Sequence, residues 1–234
     1  MDAFSFWVAG VMVYVAVAVL VLGLAWRLYQ WRRLAASPMR LGIFPKPRGG
    51  AKALRIVADT LVFPQAAEVN APLWLAVFLF HLALLGVFVG HLRLLGRFPE
   101  FLEVKMSESA HLAGGTMGIV LVVTLFYFLI RRFKSPSKEL SVPEDYLLLI
   151  LLLGVVVMGD HLRLFAEIPF SAYRQYVASL LALRPEFGPE IAASPYKTAL
   201  VVHVLLANLL FIYLPFSKLV HFIGAFLTNG IRRS

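Results

Sequence analysis

The sequence predicts an all-α membrane protein of five transmembrane helices, and three observations carry that prediction. First, 60% of the 234 residues are hydrophobic and the mean hydropathy is +0.81. Soluble domains are about 45–50% apolar. Second, five apolar stretches reach the roughly 20 residues that a helix needs to cross a hydrocarbon core. They run over residues 6–29, 72–95, 109–130, 146–165 and 198–222. Third, Lys and Arg gather in alternate connections. Eight fall between Arg27 and Asn70, four between Arg131 and Asp145, and three from Lys218 onward, fifteen of the 22 in all.

That asymmetry orients the chain. Basic residues mark the inner side, so the N-terminus lies outside and the C-terminus inside. Residues 1–234 form one transmembrane domain, with an inner basic loop over 30–71. The net charge of +9 is then a topology signal, with attraction to anionic lipid or an acidic partner, rather than a nucleic-acid footprint.

The first stretch reads as a span and not as a cleaved leader. Asp2 stands where a leader is positive, the apolar run is too long, and no small-residue cleavage site follows it. After it, "SPMRLGIFPKPRGG" is a Pro- and Gly-rich loop. "AKALRIVADTLVF" is apolar at helical spacing and fits a helix lying in the interface or docking on a partner. Pro143, Glu144 and Asp145 suit the start of the fourth span, where acids complement the helix dipole. The outer connection 167–197 contains "IPFSAYRQYVASLLAL", a short helix expected at the membrane surface. "GHLRLL" at 90–95 is echoed by "GDHLRLF" at 159–165, a likeness short enough for chance, a shared end-cap or duplication. Trp7, Trp26, Trp31 and Trp74 fit interfacial belts.

Cysteine is absent. Thiolate-ligated iron–sulfur clusters, covalently attached haem and disulfides within this chain are therefore excluded.

All six histidines fall on the spans or near their ends: His81, His91, His111, His161, His203 and His221. An ionisable group in a bilayer is costly and marks a functional hypothesis. His81 and His91 are separated by about 15 Å of helix rise, and His203 and His221 by about 27 Å. The second span runs outward and the fifth inward, so His81 and His221 lie toward the inner face, His91 and His203 toward the outer. On a continuous helix, eighteen residues make five turns, which points His203 and His221 the same way. Two opposed imidazoles at each level suit a bis-histidine haem b, and two levels give a dihaem four-helix core. Gly86 and Gly90 leave room for a flat macrocycle, or for close helix packing. A lone membrane histidine more often packs or passes protons; four at matched depths favour ligation. Zinc is a poorer fit, because neither level offers a third ligand.

"HLALLGVFVGH", "HLAGGTMG", "IPFSA" and "PFSKLVH" resemble the cytochrome b gamma subunit of respiratory nitrate reductase. "SPSKELSVPEDYLLLILLLG", "HLRLL" and "PFSKLVHFIGAFL", with the long basic loop, are similar to a sister branch, the membrane cytochrome b of the Dsr and Hme complexes of sulfate-reducing organisms. The resemblance implies two haems b, one on His81 and His221, the other on His91 and His203. It implies a multi-pass subunit in the cell membrane. Electrons pass between menaquinol at the outer side and a cytoplasmic heterodisulfide-reductase-like iron–sulfur subunit, in support of sulfite or sulfate reduction. Nitrate reductase itself, with its own iron–sulfur partner, is one alternative. A cofactor-free transport or assembly protein is another.

The quinol end needs a base or hydrogen-bonding group. Lys105 is carried by the resemblance of its "EVK" stretch to one holding a quinol-site lysine; Glu108, His111, His161 and Glu167 are further candidates from the residues alone. Lys105 and Glu108 also read as solvated loop charges, and His161 as an interfacial residue bonded to Asp160 or a headgroup. Arg93 and Arg163 suit haem carboxylates, or snorkel to lipid phosphates. Phe78, Phe80, Phe88 and Phe211 suit haem faces or ordinary apolar bulk.

Overall fold

The computed structural model describes the backbone of residues 1–34, 51–96 and 100–232; the side chains of 34, 51, 52, 55, 65, 100–114 and 227–232 are not part of that description. Residues 35–50 of the expected basic loop lie outside the described residues, as do the side chains of Lys105, Glu108 and His111.

Among the described residues the chain is helical throughout, with no strand. Four helices are long and apolar enough to cross a membrane: Ala3–Arg33, Ala71–Leu92, Pro143–Phe165 and Lys197–Phe216. The helix Glu100–Arg131, apolar over its segment Gly115–Arg131, occupies the third expected position. Large apolar side chains such as Leu22, Leu85, Phe88 and Val123 are exposed along these helices. In a bilayer that exposure is no penalty, because lipid tails are as apolar as leucine.

The chain divides into two compact units, Met1–Val15 with Leu79–Leu210, and Ala16–Phe78 with Phe211–Ser234. The first unit opens with α1 (Ala3–Phe6) and a π turn (Trp7–Val11) that leads into α2 (Met12–Leu34). Asp2 caps α1, accepting from the Ser5 amide at 2.9 Å and the Ser5 hydroxyl at 2.8 Å. The Ser5 amide first, then Lys197 at 3.0 Å, holds the Asp2 carboxyl well below the usual carboxylate range.

The π turn loosens the backbone ladder, and two carbonyls there are met from elsewhere. Asn208 Nδ2 donates to Val8 at 2.9 Å and the Tyr176 hydroxyl donates to Ala9 at 2.6 Å. Tyr176 belongs to α8 (Phe170–Leu181), and Asn208 to α10 (Lys197–Tyr213). Val8, Ala9, Leu162, Ala172, Tyr176, Phe187, Ile191 and Leu200 form one buried cluster. The expected helix of the 167–197 connection is therefore present, and one of its faces is packed into the core of this unit.

α6 (Glu100–Arg131) packs along α7 (Pro143–Phe165). α7 begins at Pro143, as its sequence suggests, and Asp145 accepts from the Val142 amide at 3.1 Å. The same carboxylate pairs with Arg132 at 3.1 Å, and Tyr146 donates to the Arg132 carbonyl at 2.8 Å. Arg132 thus closes the α6–α7 turn rather than acting only as a topology anchor.

In the second unit, the amphipathic segment forms α3 (Ala51–Leu61), which packs on α11 (His221–Arg232). α4 (Pro64–Val69) leads to α5 (Ala71–Leu92), and Trp74 Nε1 donates to the Val62 carbonyl at 2.7 Å.

The fifth expected span, 198–222, is not one helix. α10 ends at Tyr213, two 3₁₀ turns follow over Leu214–Phe216 and Lys218–Val220, and His221 opens α11. Pro215 has no amide hydrogen to donate and cannot continue the ladder. Ser217 then starts a new segment by accepting from the Leu219 amide at 3.1 Å. Pro215 packs where a side chain at Gly23 would otherwise sit, and Arg27 Nε donates to the Pro215 carbonyl at 3.0 Å. Five continuous helical turns therefore do not join His203 to His221, contrary to the sequence expectation.

Candidate functional site

His91, one residue from the end of α5, and His203, on α10, face each other in the first unit. Their ring centres are 6.4 Å apart and their planes differ by 20°. His91 Nδ1 lies 2.8 Å from the Val87 carbonyl, and His203 Nδ1 lies 3.0 Å from the Val155 carbonyl of α7. A carbonyl can only accept, so each Nδ1 carries the proton and each Nε2 keeps its lone pair. This is the tautomer a metal-ligating histidine needs.

The spacing fits an iron between the rings. Metal–imidazole bonds are about 2 Å, as for zinc, and each ring centre lies about 1 Å behind its nitrogen, giving about 6 Å between centres. Among the described residues no three His, Asp or Glu side chains converge on a metal position. Two axial imidazoles with the equatorial positions left to a macrocycle match that donor set.

The glycines divide in role. A Cβ on Gly90 would meet nothing within 4 Å, so the space beside His91 is open. A Cβ on Gly86 would strike Met117 of α6, so this glycine serves close helix packing. A Cβ on Gly159 would lie 3.1 Å from His203 Cε1, which makes Gly159 the floor of the His203 ring. The glycine spacing of α6 also has a use: Gly118 accommodates the Asp160 carboxylate of α7.

His81 lies in the first unit and His221 in the second. The His81 ring meets Phe80 edge-on at 5.2 Å, and Phe80 in turn meets Phe128 at 5.7 Å. His221 Nδ1 lies 3.0 Å from the Lys218 carbonyl, which again places the proton on Nδ1.

One end of the first unit is rich in polar groups. Arg93 stands 5.0 Å and Arg174 5.4 Å from the centre of the Phe170 ring. Arg163 is a neighbour of Arg93 and Tyr173. His161 packs between Phe165 at 5.4 Å and Tyr196 at 5.6 Å. Those two rings line a cleft of about 610 Å³ that also presents Glu167 and Glu190. Lys105, Glu108 and His111 lie on α6, which begins at Glu100; the first two are therefore helical and not loop residues.

Sequence reasoning missed Phe170, Tyr173, Arg174 and Glu190. Phe170 and Arg174 are four residues apart on one helix, a spacing that places them on one face. That signal was available once α8 was recognised as helix.

Among the described residues, an all-helical chain with four candidate spans defines a membrane-protein fold, in which His91 and His203 come together with both Nδ1 atoms bonded to carbonyls. The chain belongs to the nitrate reductase gamma subunit family, whose profile matches residues 67–232. It is 28% identical to the Hdr-like menaquinol oxidoreductase cytochrome b-like subunit of Archaeoglobus fulgidus, over 91% of this chain and 75% of that protein. It is 25% identical to the subunit of the same name from Archaeoglobus profundus, over 65% of this chain and 47% of that protein. Both resemblances read from the sequence, to the gamma subunit family and to its menaquinol-linked branch, are borne out.

Proposed function

We propose that the chain is the dihaem b membrane subunit of a respiratory complex. It moves electrons between menaquinol at the outer side and a cytoplasmic heterodisulfide-reductase-like iron–sulfur subunit, in support of sulfite or sulfate reduction. The observation that carries this reading is the 6.4 Å separation of the His91 and His203 ring centres, with both Nδ1 atoms committed to carbonyls. The names of the two relatives support the quinol link.

His91 and His203 would hold the outer haem, and His81 with His221 the inner one. Each haem, when bound, would supply a one-electron carrier whose potential the residues holding it would help to set. The chain's own work is to fix those imidazoles. Val87, Val155 and Lys218 carbonyls hold the tautomers, Gly159 seats the His203 ring and Gly90 keeps space beside His91.

At the outer end, menaquinol must lose two protons with its two electrons. His161, which packs on the Tyr196 ring of the cleft that carries Glu167 and Glu190, would accept a hydrogen bond from a quinol hydroxyl. Lys105 and Glu108, two turns or more before Gly115 on α6, are the further groups proposed for this end. Electron movement inward with proton release outward would separate charge across the cell membrane, about 2.3 kcal/mol per charge against 100 mV. The same route run backward would reduce the quinone.

The family profile favours one second reading, the gamma subunit of a nitrate reductase. Purification of the assembled complex separates the two by the partner that accompanies the chain: a molybdenum subunit with a multi-cluster ferredoxin, or a cysteine-rich heterodisulfide-reductase-like protein. A reduced-minus-oxidised spectrum of the same preparation tests both together. A b-type α band and about two haems per chain are expected; a colourless complex overturns the redox reading in favour of a transport or assembly role.

A further inference from the structure

α3 (Ala51–Leu61) has no task in the electron path as proposed, and it lies ahead of the stretch that the family profile matches. Helical spacing sorts its residues into two opposite sides. Leu54, Val57 and Leu61 recur at three and four residues and share one side. All three are exposed. Lys52, about two and a half turns from Leu61, falls on the other side, together with Arg55 and Asp59. Ile56 and Thr60, on a flank between the two, are half-buried. α3 packs on α11, and the apolar row stays open beside that contact.

Three observations put that row at the boundary of the bilayer. First, α3 stands between the candidate spans Ala3–Arg33 and Ala71–Leu92. Its 11 residues make about 16 Å of helix, too short to cross a hydrocarbon core. Second, Trp74 Nε1, in the first turn of α5, donates to the Val62 carbonyl at 2.7 Å, just past the end of α3. The helix end is thereby tied to the level where the next span begins. Third, Phe63 has a φ of 38°, in the left-handed region, and Pro64 opens α4. The chain turns there instead of carrying α3 straight on into the span. A short helix at this level, apolar on one side and charged on the other, has the pattern of one that lies in the membrane plane.

We infer that α3 is an in-plane membrane helix that sets Leu54, Val57 and Leu61 among the acyl chains of the surrounding bilayer. The partner of this face is the lipid surface itself, and the inference does not depend on the haem reading. The insertion also acts on α11, which follows the span Lys197–Phe216 and opens at His221. Through its contact with α3, α11 is held at the membrane surface.

The chain has no cysteine, so Leu54→Cys, Val57→Cys, Leu61→Cys and Lys52→Cys each give the purified full chain one site for a nitroxide label. Each labelled chain is reconstituted in phosphatidylcholine–phosphatidylglycerol vesicles. Collisional relaxation is then read with molecular oxygen, which concentrates among acyl chains, and with a water-soluble nickel chelate. Labels on the apolar row are expected to be relaxed by oxygen and shielded from nickel, at about 5–10 Å below the headgroups. The label at Lys52→Cys should show the reverse preference. A row as open to nickel as Lys52→Cys overturns the inference. Shielding of the row from both reagents also overturns it, and dipolar broadening between labels then assigns the row to a second copy of the chain. The three apolar side chains are exposed, so their replacement removes no packing, and any one variant that reconstitutes carries this arm. The unmodified assembled complex carries a second arm that needs no variant. A phospholipid with a photoreactive group on its acyl chain is expected to crosslink to α3, read by peptide mass spectrometry. Crosslinks on the spans with none on α3 overturn the inference and assign the row to a partner subunit.

Discussion

His203 is constrained on two sides. Its Nδ1 is tied to the Val155 carbonyl of α7, and its Cε1 edge rests over Gly159 of the same helix. α7 therefore orients an imidazole that α10 supplies. Replacing His203 by Ala is expected to remove one of the two haems from the assembled complex, read as half the pyridine-haemochrome content. Gly159→Ala should leave the haem count at two but broaden or shift the outer haem's spectrum, because the added methyl must push the ring by a few tenths of an ångström. Tyr176 is a residue of a different kind. Burial pushes its phenol well up, so it stays a donor to the Ala9 carbonyl at any ordinary pH. Tyr176→Phe leaves that carbonyl unpaired in the core. A loss of about 1–3 kcal/mol is expected, measurable as a lower thermal midpoint in detergent with the visible spectrum unchanged before unfolding.

Elements end where their sequence can no longer pay in hydrogen bonds, and the chain shows this twice. The α6–α7 turn is closed by Asp145, which serves at once as cap of α7 and as partner of Arg132. Asp145→Ala removes both contacts. The expected cost is about 1–3 kcal/mol, seen as a lower thermal midpoint, and Asp145→Asn should recover the capping part alone. Pro143, Glu144 and Asp145 made the start of α7 legible, but nothing local in the sequence joined Arg132 to Asp145, thirteen positions apart. The break at Pro215 was legible in principle and overlooked, because apolar residues on both sides let hydropathy run through it. Proline followed by Ser217 is a stop and a new cap in succession. The π turn at Trp7–Val11 left no such mark. It is sustained by Asn208 and Tyr176, both more than 160 positions away, and contacts of that range are invisible to local periodicity.

At the scale of the whole molecule, hydropathy located the spans well because a bilayer demands length and apolarity and little else. Predicted 72–95 and 146–165 became Ala71–Leu92 and Pro143–Phe165. The pairing of His91 with His203 was legible from depth alone, since antiparallel helices bring matched depths together. The group beneath it was not, because Gly159 reaches the His203 ring through tertiary packing. The proposed orientation, N-terminus outside, rests on charge asymmetry and can be read directly. The chain has no cysteine, so any single introduced cysteine is a unique label. Ser137→Cys lies in the α6–α7 turn, on the side proposed to face inward. Glu186→Cys lies between α8 and α9 (Pro189–Ala192), on the side proposed to face outward. Both positions are exposed or partly so. A membrane-impermeant maleimide is expected to label Glu186→Cys in intact cells, and Ser137→Cys only after permeabilisation. The reverse pattern would place the His91 and His203 level at the inner face, and with it the quinol end, so that protons released there would no longer leave the cell.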